Sequence, residues 1–205
     1  CRLWHFHQLL FQMIYCRRGW VRVAYEDQGE PFVMQAGDCV LQPPGIRHRV
    51  LEGSAGMEVV EIACPAQHET LADAQLTLPN ERVDTQREFS GQKFVRHRAE
   101  QSTWQPWHTD GFMQRDLGLT LATRGLARAC VVRAQRANAA IGPREQSETF
   151  FFLYVLAGQA MLSCKGEHRL ASDTACVLPP ATSYTLHGCS ADFEFLQVAL
   201  DLNLA

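Results

Sequence analysis

The chain has 205 residues, of which 46% are hydrophobic and 20% charged, and 19 basic and 22 acidic residues give a formal net charge of −3. This is the composition of an ordinary globular protein, long enough for one large domain or two small ones. The sequence has no long basic tract, which argues against a nucleic-acid partner, and no apolar run of bilayer length, which argues against a membrane partner.

The elements predicted in chain order are short strands separated by glycine and proline turns. Residues 20–25 alternate apolar and other side chains directly after Gly19, and the turn Pro43-Pro44-Gly45 precedes another such run. The clearest helical period lies from His68 to Leu76. Many short strands with regular turn signals predict an all-β sandwich or barrel.

The two halves of the chain have similar sequences. Three segments of the first half match three of the second in the same order: 11–15 and 150–154, 43–45 and 179–181, and 57–62 and 193–198. A repeat this long predicts duplication of one domain. We predict an N-terminal barrel over residues 1–66, a polar connector over 67–109 and a C-terminal barrel over 110–205. The second copy has a lead-in from about Phe112 that the first lacks, so we expect that strands preceding Cys1 are missing.

Eight cysteines are present, and none of them forms a Cys-x-x-Cys pair. Several lie in apolar, strand-like runs, as Cys16 and Cys130 do. This spacing disfavours a zinc ribbon or a redox pair and is typical of buried free thiols in a reducing compartment. We therefore expect a cytoplasmic protein.

Three histidines form the richest chemical pattern. His5 and His7 lie two residues apart, so on a strand they point to the same face. His48 follows the turn Pro43-Pro44-Gly45 on a distant strand, and three imidazoles from two strands suit a first-row divalent metal. Gln12 lies at an odd spacing from His7 and joins them only if residues 8–10 bend or bulge.

Two longer patterns contain these residues and resemble the signature motifs of the cupin superfamily. The first reads H-x-H-x(4)-Q-x(6)-G from His5 to Gly19, and the second reads G-x(5)-P-x-G-x(2)-H from Gly37 to His48. The wording around residues 42–48 is similar to that of "conserved barrel" cupins. The resemblance implies two double-stranded β-helix barrels, jelly-roll-like, in tandem. It also implies one divalent metal ion, Fe, Zn, Ni or Mn, on His5, His7, Gln12 and His48.

Position 12 departs from the usual family pattern, in which glutamate is more common. Gln12 either coordinates the metal through its carbonyl oxygen or hydrogen-bonds a bound water. With three neutral imidazoles and an amide, the charge of the ion is not compensated by protein, which favours an anionic ligand. We see no carboxylate base close to these ligands in the sequence.

The second copy lacks the histidine pattern. By alignment Arg144 and Gln146 occupy the H-x-H positions, Phe151 replaces Gln12, and Tyr184 replaces His48. Arginine cannot ligate a cation and phenylalanine has no donor atom, so we predict no metal in this copy. Arg144 either binds an anion or pairs with a neighbouring acid.

Alternation predicts which side chains line the pocket. If Gln12 points inward, so do Ile14 and Cys16, while residues 11, 13 and 15 point outward although they are apolar. A strand that is apolar on both faces is covered on both sides, so these strands pack two barrels together or form a homodimer. Further candidates for the pocket are Val21, Val23 and Val50, whereas Arg47 and Arg49 are expected to face away.

Two functions fit this sequence. The first is a mononuclear metal-dependent dioxygenase or isomerase acting on a small oxygenated metabolite. The second is a non-catalytic cupin that binds or senses a small molecule, favoured by the missing glutamate and the altered second copy. A metal that only stabilises the fold is a third alternative.

Overall fold

The computed structural model describes residues 4–73, 77–80 and 82–204, and strands make up most of its regular structure. Compactness divides the chain into a first unit of residues 1–102 with 121–124, and a second unit of residues 103–120 with 125–205. No helix in the described ranges is long and apolar enough to cross a membrane.

Two antiparallel sheets form the first unit, with orders β4-β3-β6-β1-β8 and β11-β5-β2-β7, and a small hairpin pairs β9 with β10. Their strands are β1 (Trp4–Gln8), β2 (Phe11–Arg18), β3 (Trp20–Tyr25), β4 (Phe32–Gln35), β5 (Cys39–Leu41), β6 (His48–Gly53), β7 (Glu58–Cys64), β8 (Glu69–Asp73), β9 (Glu88–Phe89), β10 (Gln92–Lys93) and β11 (Val95–His97). A 3₁₀ turn, Ala99–Gln101, follows them.

The core of the first unit lies between its two sheets. On β3 the side chains of Val21 and Val23 are buried and that of Arg22 is exposed, as expected for a strand with one face on a core. They pack with Cys16 of β2 and Val40 of β5 in one apolar cluster. The arrangement is that of a jelly roll built from two facing sheets.

The second unit repeats this plan. Its strands are β12 (Gln105–Pro106), β13 (Phe112–Asp116), β14 (Ala127–Ala134), β15 (Ile141–Gln146), β16 (Phe150–Ala157), β17 (Gln159–Ser163), β18 (Glu167–Ala171), β19 (Ala175–Val177), β20 (Thr182–His187) and β21 (Glu194–Leu200). They form sheets of order β12-β13-β14-β21-β16-β19 and β15-β20-β17-β18. The remaining helical segments are α1 (Leu119–Ala122) and the 3₁₀ turn Leu202–Leu204.

The prediction of a helical period from His68 to Leu76 is wrong for the described part of that segment. Residues 69–73 form β8, which pairs antiparallel with all five residues of β1. Backbone pairing along the open edge of β1 outweighs a short periodic pattern, because strand formation depends strongly on context. Residues 74–76 lie outside the described ranges.

Part of the segment predicted as a connector pairs within the first unit. β8 extends one sheet and β11 extends the other. The Asn80 side chain exchanges two hydrogen bonds with Asp27, at 2.9 and 2.5 Å, and Arg87 donates to Asp27 at 2.6 Å. The limits of 1–66, 67–109 and 110–205 for independent domains therefore stay a prediction, to which the structure adds these contacts.

Both faces of β2 are buried, as predicted. Phe11, Met13 and Tyr15 on one face are at most 3% exposed, and Gln12 and Cys16 on the other are similarly buried. The homodimer that we infer from this pattern stays a prediction. The seven cysteines in the described ranges are free thiols, four of them buried, and Cys1 lies outside those ranges.

Candidate metal centre

Three histidines meet at the inner face of the first unit. His5 and His7 lie on the same face of β1, and β1 pairs with β6 so that His5 is directly opposite His48. One nitrogen from each of the three rings can be chosen so that all lie within 4.8 Å of one another. The His5 and His48 ring centroids are 4.3 Å apart, and the His7 ring is 5.2 and 5.1 Å from them. A single ion between them is within reach of all three.

Hydrogen bonds orient two of these rings. The His48 Nδ1–H donates to the carbonyl oxygen of Ile46 at 3.1 Å, which leaves Nε2 with its lone pair for another partner. The His7 Nδ1 is hydrogen-bonded to the Thr70 hydroxyl at 2.9 Å. A ligating histidine commonly uses its second nitrogen in this way, because the bond fixes ring orientation and tautomer.

The environment keeps the imidazoles neutral. Burial lowers the pKa of His48 to about 3, and the neighbouring His5 and His7 lower it too, against the opposing bond to Ile46. Burial also lowers the pKa of His7, as do His5 and His68, while Glu61 opposes the shift. Neutral imidazole is the form that binds metals, so the donor set fits a first-row divalent ion.

Gln12 reaches the same pocket because the chain bends where the sequence requires it. β1 ends at Gln8 and β2 begins at Phe11 in the other sheet, with Leu9 and Leu10 between them. The Gln12 side chain is 2% exposed and lines the pocket beside the histidines. The predicted bend is therefore confirmed.

A directed chain of hydrogen bonds passes through Gln12. The Tyr25 hydroxyl donates to Gln42 Oε1 at 2.9 Å, Gln42 Nε2 donates to Gln12 Oε1 at 2.6 Å, and Gln12 Nε2 donates to Glu61 Oε1 at 2.6 Å. Tyr25 is buried, and burial raises the pKa of its hydroxyl, which therefore remains a donor. We call these four residues the Tyr25–Glu61 relay.

The pocket around the histidines has a volume of about 300 Å³ and a largely apolar wall. Ile14, Val21, Val23 and Val50, the candidates from alternation, all line it. Arg47 does not line it and instead pairs with Glu26 and Asp73. A small pocket with an apolar wall and a few convergent polar groups is typical of a small-molecule site.

Sequence reasoning missed two residues next to the centre. The expectation of no nearby carboxylate is wrong, because Glu61 of β7 lines the pocket and bonds to Gln12. His68, in the predicted connector, has its ring 5.0 Å from that of His7. The only sequence signal for Glu61 was its place in an alternating strand, and none pointed to His68, because it is brought in by the pairing of β8 with β1.

The second unit carries different side chains at the corresponding places. Arg144 of β15 pairs directly with Tyr184 of β20, as His5 does with His48. Phe151 is opposite Ala199 and Leu153 opposite Gln197, as Gln12 is opposite Ala63 and Ile14 opposite Glu61. The registers confirm the alignment of the two copies, including the positions of Arg144, Phe151 and Tyr184.

The fold and the three-histidine pocket define a jelly-roll protein of two similar units with a candidate metal site in the first. The family model described as a cupin domain matches residues 2–63, so the first unit contains a cupin domain. No curated protein matches the sequence at a significant level.

Solved structures share the fold of the whole chain at low sequence identity. A salicylate 1,2-dioxygenase from Pseudoaminobacter salicylatoxidans has a TM-score of 0.71 at 14% identity, covering 98% of this chain and 67% of its own. Oxalate decarboxylase from Bacillus subtilis has a TM-score of 0.67 at 15% identity, covering 98% and 64%. A glyoxylate-induced protein from Pseudomonas aeruginosa, itself described as putative, has a TM-score of 0.67 at 14% identity, covering 93% and 66%. The chain thus spans about two thirds of the length of these proteins.

Proposed function

We propose that the first unit binds one divalent metal ion through His5, His7 and His48 and acts on a small oxygenated molecule, as a dioxygenase or an isomerase. The observation that carries this proposal is the meeting of three neutral imidazoles, with ligand atoms within 4.8 Å of one another, on the wall of a small apolar pocket. An ion bound there would polarise oxygen atoms of the ligand, and a redox-active one such as iron would support chemistry with dioxygen.

For Gln12 we propose a positioning role rather than ligation. Its carbonyl oxygen already accepts a hydrogen bond from Gln42, and its amide nitrogen donates to Glu61. A carbonyl is also a weaker ligand than a carboxylate for a transition metal. The Tyr25–Glu61 relay would hold one oxygen of Glu61 and leave the other for a ligand.

Glu61 narrows the class of substrate. It is the carboxylate that the relay fixes in the pocket, and its charge would offset part of the charge of a divalent ion. Such a site suits a molecule with one negative charge and a hydroxyl that donates to Glu61, more than a doubly charged anion. The apolar wall would enclose the rest of the molecule.

Metal analysis of the purified protein tests this assignment. We expect about one equivalent of metal per chain, and loss of it in a His5→Ala/His48→Ala double variant, because two of three ligands are removed. The matched control is His187→Ala, since His187 lies on β20 in the second unit and bonds to Ser163 and Glu167. Equal metal content in all three proteins would contradict the assignment.

The metal found directs the activity screen. Iron leads to measurements of oxygen consumption with small hydroxylated and carboxylated compounds, and zinc, nickel or manganese leads to isomerisation assays. The alternative is a non-catalytic binding or sensing cupin, favoured by the missing glutamate at position 12 and the altered second unit. That alternative predicts stabilisation by a ligand of the metal-loaded protein without product formation.

A further inference from the structure

The second unit has a cavity of about 250 Å³ at the place that corresponds to the metal pocket of the first. Arg144 and Tyr184, the register counterparts of His5 and His48, both line it. Trp107 and Phe151 add aromatic walls, and Gln197 lies where the first unit has Glu61. The cavity thus keeps the position of the first pocket and changes its polar groups.

Arg144 brings a positive charge that is not neutralised. Its Nη2 donates to the Thr109 hydroxyl at 2.9 Å, and the guanidinium carbon lies 5.8 Å from the Trp107 ring centroid. These contacts hold the half-buried side chain in place, and no ion pair is found for Arg144 in the described part of the chain. A guanidinium has five N–H donors, so most of them are left for a ligand.

Tyr184 offers a second donor on the facing strand. The residue is 7% exposed and has no hydrogen-bond partner for its hydroxyl among the described residues. Burial raises the pKa of this phenol, against the opposing effect of Arg144, so the hydroxyl keeps its proton at neutral pH. Directly paired residues on neighbouring strands have Cβ atoms about 5 Å apart, so both donors can reach one small ligand.

The acidic residues near the cavity do not neutralise Arg144. Glu148 is engaged in a short ion pair with Arg128. Glu145 precedes Gln146 and follows Arg144 on β15, and adjacent strand residues point to opposite faces. The first unit has the carboxylate of Glu61 in its pocket, and the second has the neutral amide of Gln197 at the same register position.

We propose that this cavity binds a small monocarboxylate with a flat apolar body, held by the Arg144 guanidinium and the Tyr184 hydroxyl. A planar guanidinium matches a carboxylate through parallel hydrogen bonds, and the aromatic walls suit a planar body. The site is separate from the proposed metal centre, and its ligand is bound without a metal.

Calorimetric titration with benzoate tests the proposal, with neutral benzamide as the matched ligand control. The protein used is the full chain in chelator, together with the His5→Ala/His48→Ala variant to remove any contribution from the first unit. We expect saturable benzoate binding in both proteins and none for benzamide. No saturable binding of benzoate to the wild-type chain, or equal binding of the two ligands, overturns the proposal.

Variants locate the site. Arg144→Gln is expected to weaken benzoate binding by about tenfold or more, since a charged hydrogen bond is lost, and Tyr184→Phe by several-fold. Arg133→Gln is the control, because Arg133 lies on β14 in the same unit, contacts Trp104 and does not line the cavity. If Arg144→Gln and Arg133→Gln have the same effect, the assignment is wrong.

A second variant keeps the test decisive if Arg144→Gln does not fold. Gln197→Glu gives the second unit the acid of the first, and we expect it to abolish benzoate binding by charge repulsion and by pairing with Arg144. Gln114→Glu adds the same charge at β13, outside the lining of this cavity, and should leave binding unchanged. Undiminished binding in Gln197→Glu overturns the proposal.

Discussion

The same register position carries opposite chemistry in the two units. In the first, His5 and His48 lie across β1 and β6 as two neutral imidazoles, which suit a cation. In the second, Arg144 and Tyr184 lie across β15 and β20 as a guanidinium and a phenol, which suit an anion. The backbone fixes where two side chains meet, and their chemical nature decides what can bind there.

A second difference lies behind these pairs. The first unit has the polar series Gln12, Gln42 and Glu61, whereas the aligned residues of the second are Phe151, Leu178 and Gln197. Phe151 and Leu178 belong to the apolar core of the second unit. A buried polar series is stable only if each member has a partner, so it is replaced as a group or retained as a group.

The largest effect is expected when one member of the relay is given its counterpart from the second unit. Gln42→Leu leaves the buried Tyr25 hydroxyl without an acceptor and the Gln12 oxygen without a donor. At about 1–3 kcal/mol for each unsatisfied buried group, we expect a loss of about 3 kcal/mol in the free energy of unfolding. Chemical denaturation in the presence of a chelator measures it.

Two further variants provide the control and the decisive comparison. Gln35→Leu makes the same change at an exposed position of β4 and should alter stability by less than about 0.5 kcal/mol. Tyr25→Phe combined with Gln42→Leu and Gln12→Leu removes the polar groups together and should recover much of the loss. A single Gln42→Leu variant as stable as the wild type would show that the relay does not stabilise the unit.

The two units also share a turn after their second long strand. Gly19 lies between β2 and β3 with φ of +69°, and Gly158 lies between β16 and β17 with φ of +71°. In both turns a serine hydroxyl accepts from the next backbone N–H, Ser54 from Trp20 at 3.0 Å and Ser190 from Gln159 at 2.9 Å. An added methyl group would collide with that serine in each case.

Alanine at these glycines measures how closely the turns match. A left-handed backbone costs a non-glycine residue about 1–2 kcal/mol, so both variants should lose at least that much. The nearest backbone atom to the added Cβ is Met57 Cα at 3.3 Å for Gly19 and Phe193 Cα at 2.8 Å for Gly158. We therefore expect Gly158→Ala to lose more stability, by roughly 1 kcal/mol.

Denaturation of the two variants under identical conditions gives this difference. Gly56→Ala is a suitable control, since its φ is also positive, at +70°, and no atom lies within 4 Å of the added Cβ. It isolates the backbone cost from the collision. Equal losses for all three alanine variants would mean that the surrounding atoms move aside at no cost.

Sequence patterns predicted the site where local geometry determines it. Two-residue periodicity placed His5 and His7 on one face, and alternation identified Ile14, Val21 and Val50 as pocket residues. The bend before Gln12 also followed, because its odd spacing has no other solution that brings it to the histidines.

The rest depends on pairing between distant strands. Glu61 meets Gln12 because β7 pairs with β2, 49 residues along the chain, and no local pattern specifies that register. β8 was predicted as helix because its contact with β1 is likewise non-local. Periodicity gives the face of a strand, whereas the identity of its neighbour follows from the tertiary fold.

The smallest expected effect is the pH dependence of the metal-free first unit. The pKa of His48 is about 3 in the folded protein and near 6.5 when unfolded, so between these values the unfolded state binds one proton more. Stability must then rise with pH across this window and fall as the pH is lowered from about 6.5 towards 3. One such group contributes a slope of about 1.4 kcal/mol per pH unit.

Urea denaturation in chelator at several pH values between 4 and 6.5 isolates this contribution when the wild type is compared with His48→Gln. We expect the slope to be lower in the variant by about 1.4 kcal/mol per pH unit. His187→Gln, in the second unit, is the control and should retain the wild-type slope. Since Tyr184 replaces His48 in the second unit, this dependence belongs to the first unit alone, and a slope unchanged in His48→Gln would mean that His48 is not held neutral by its surroundings.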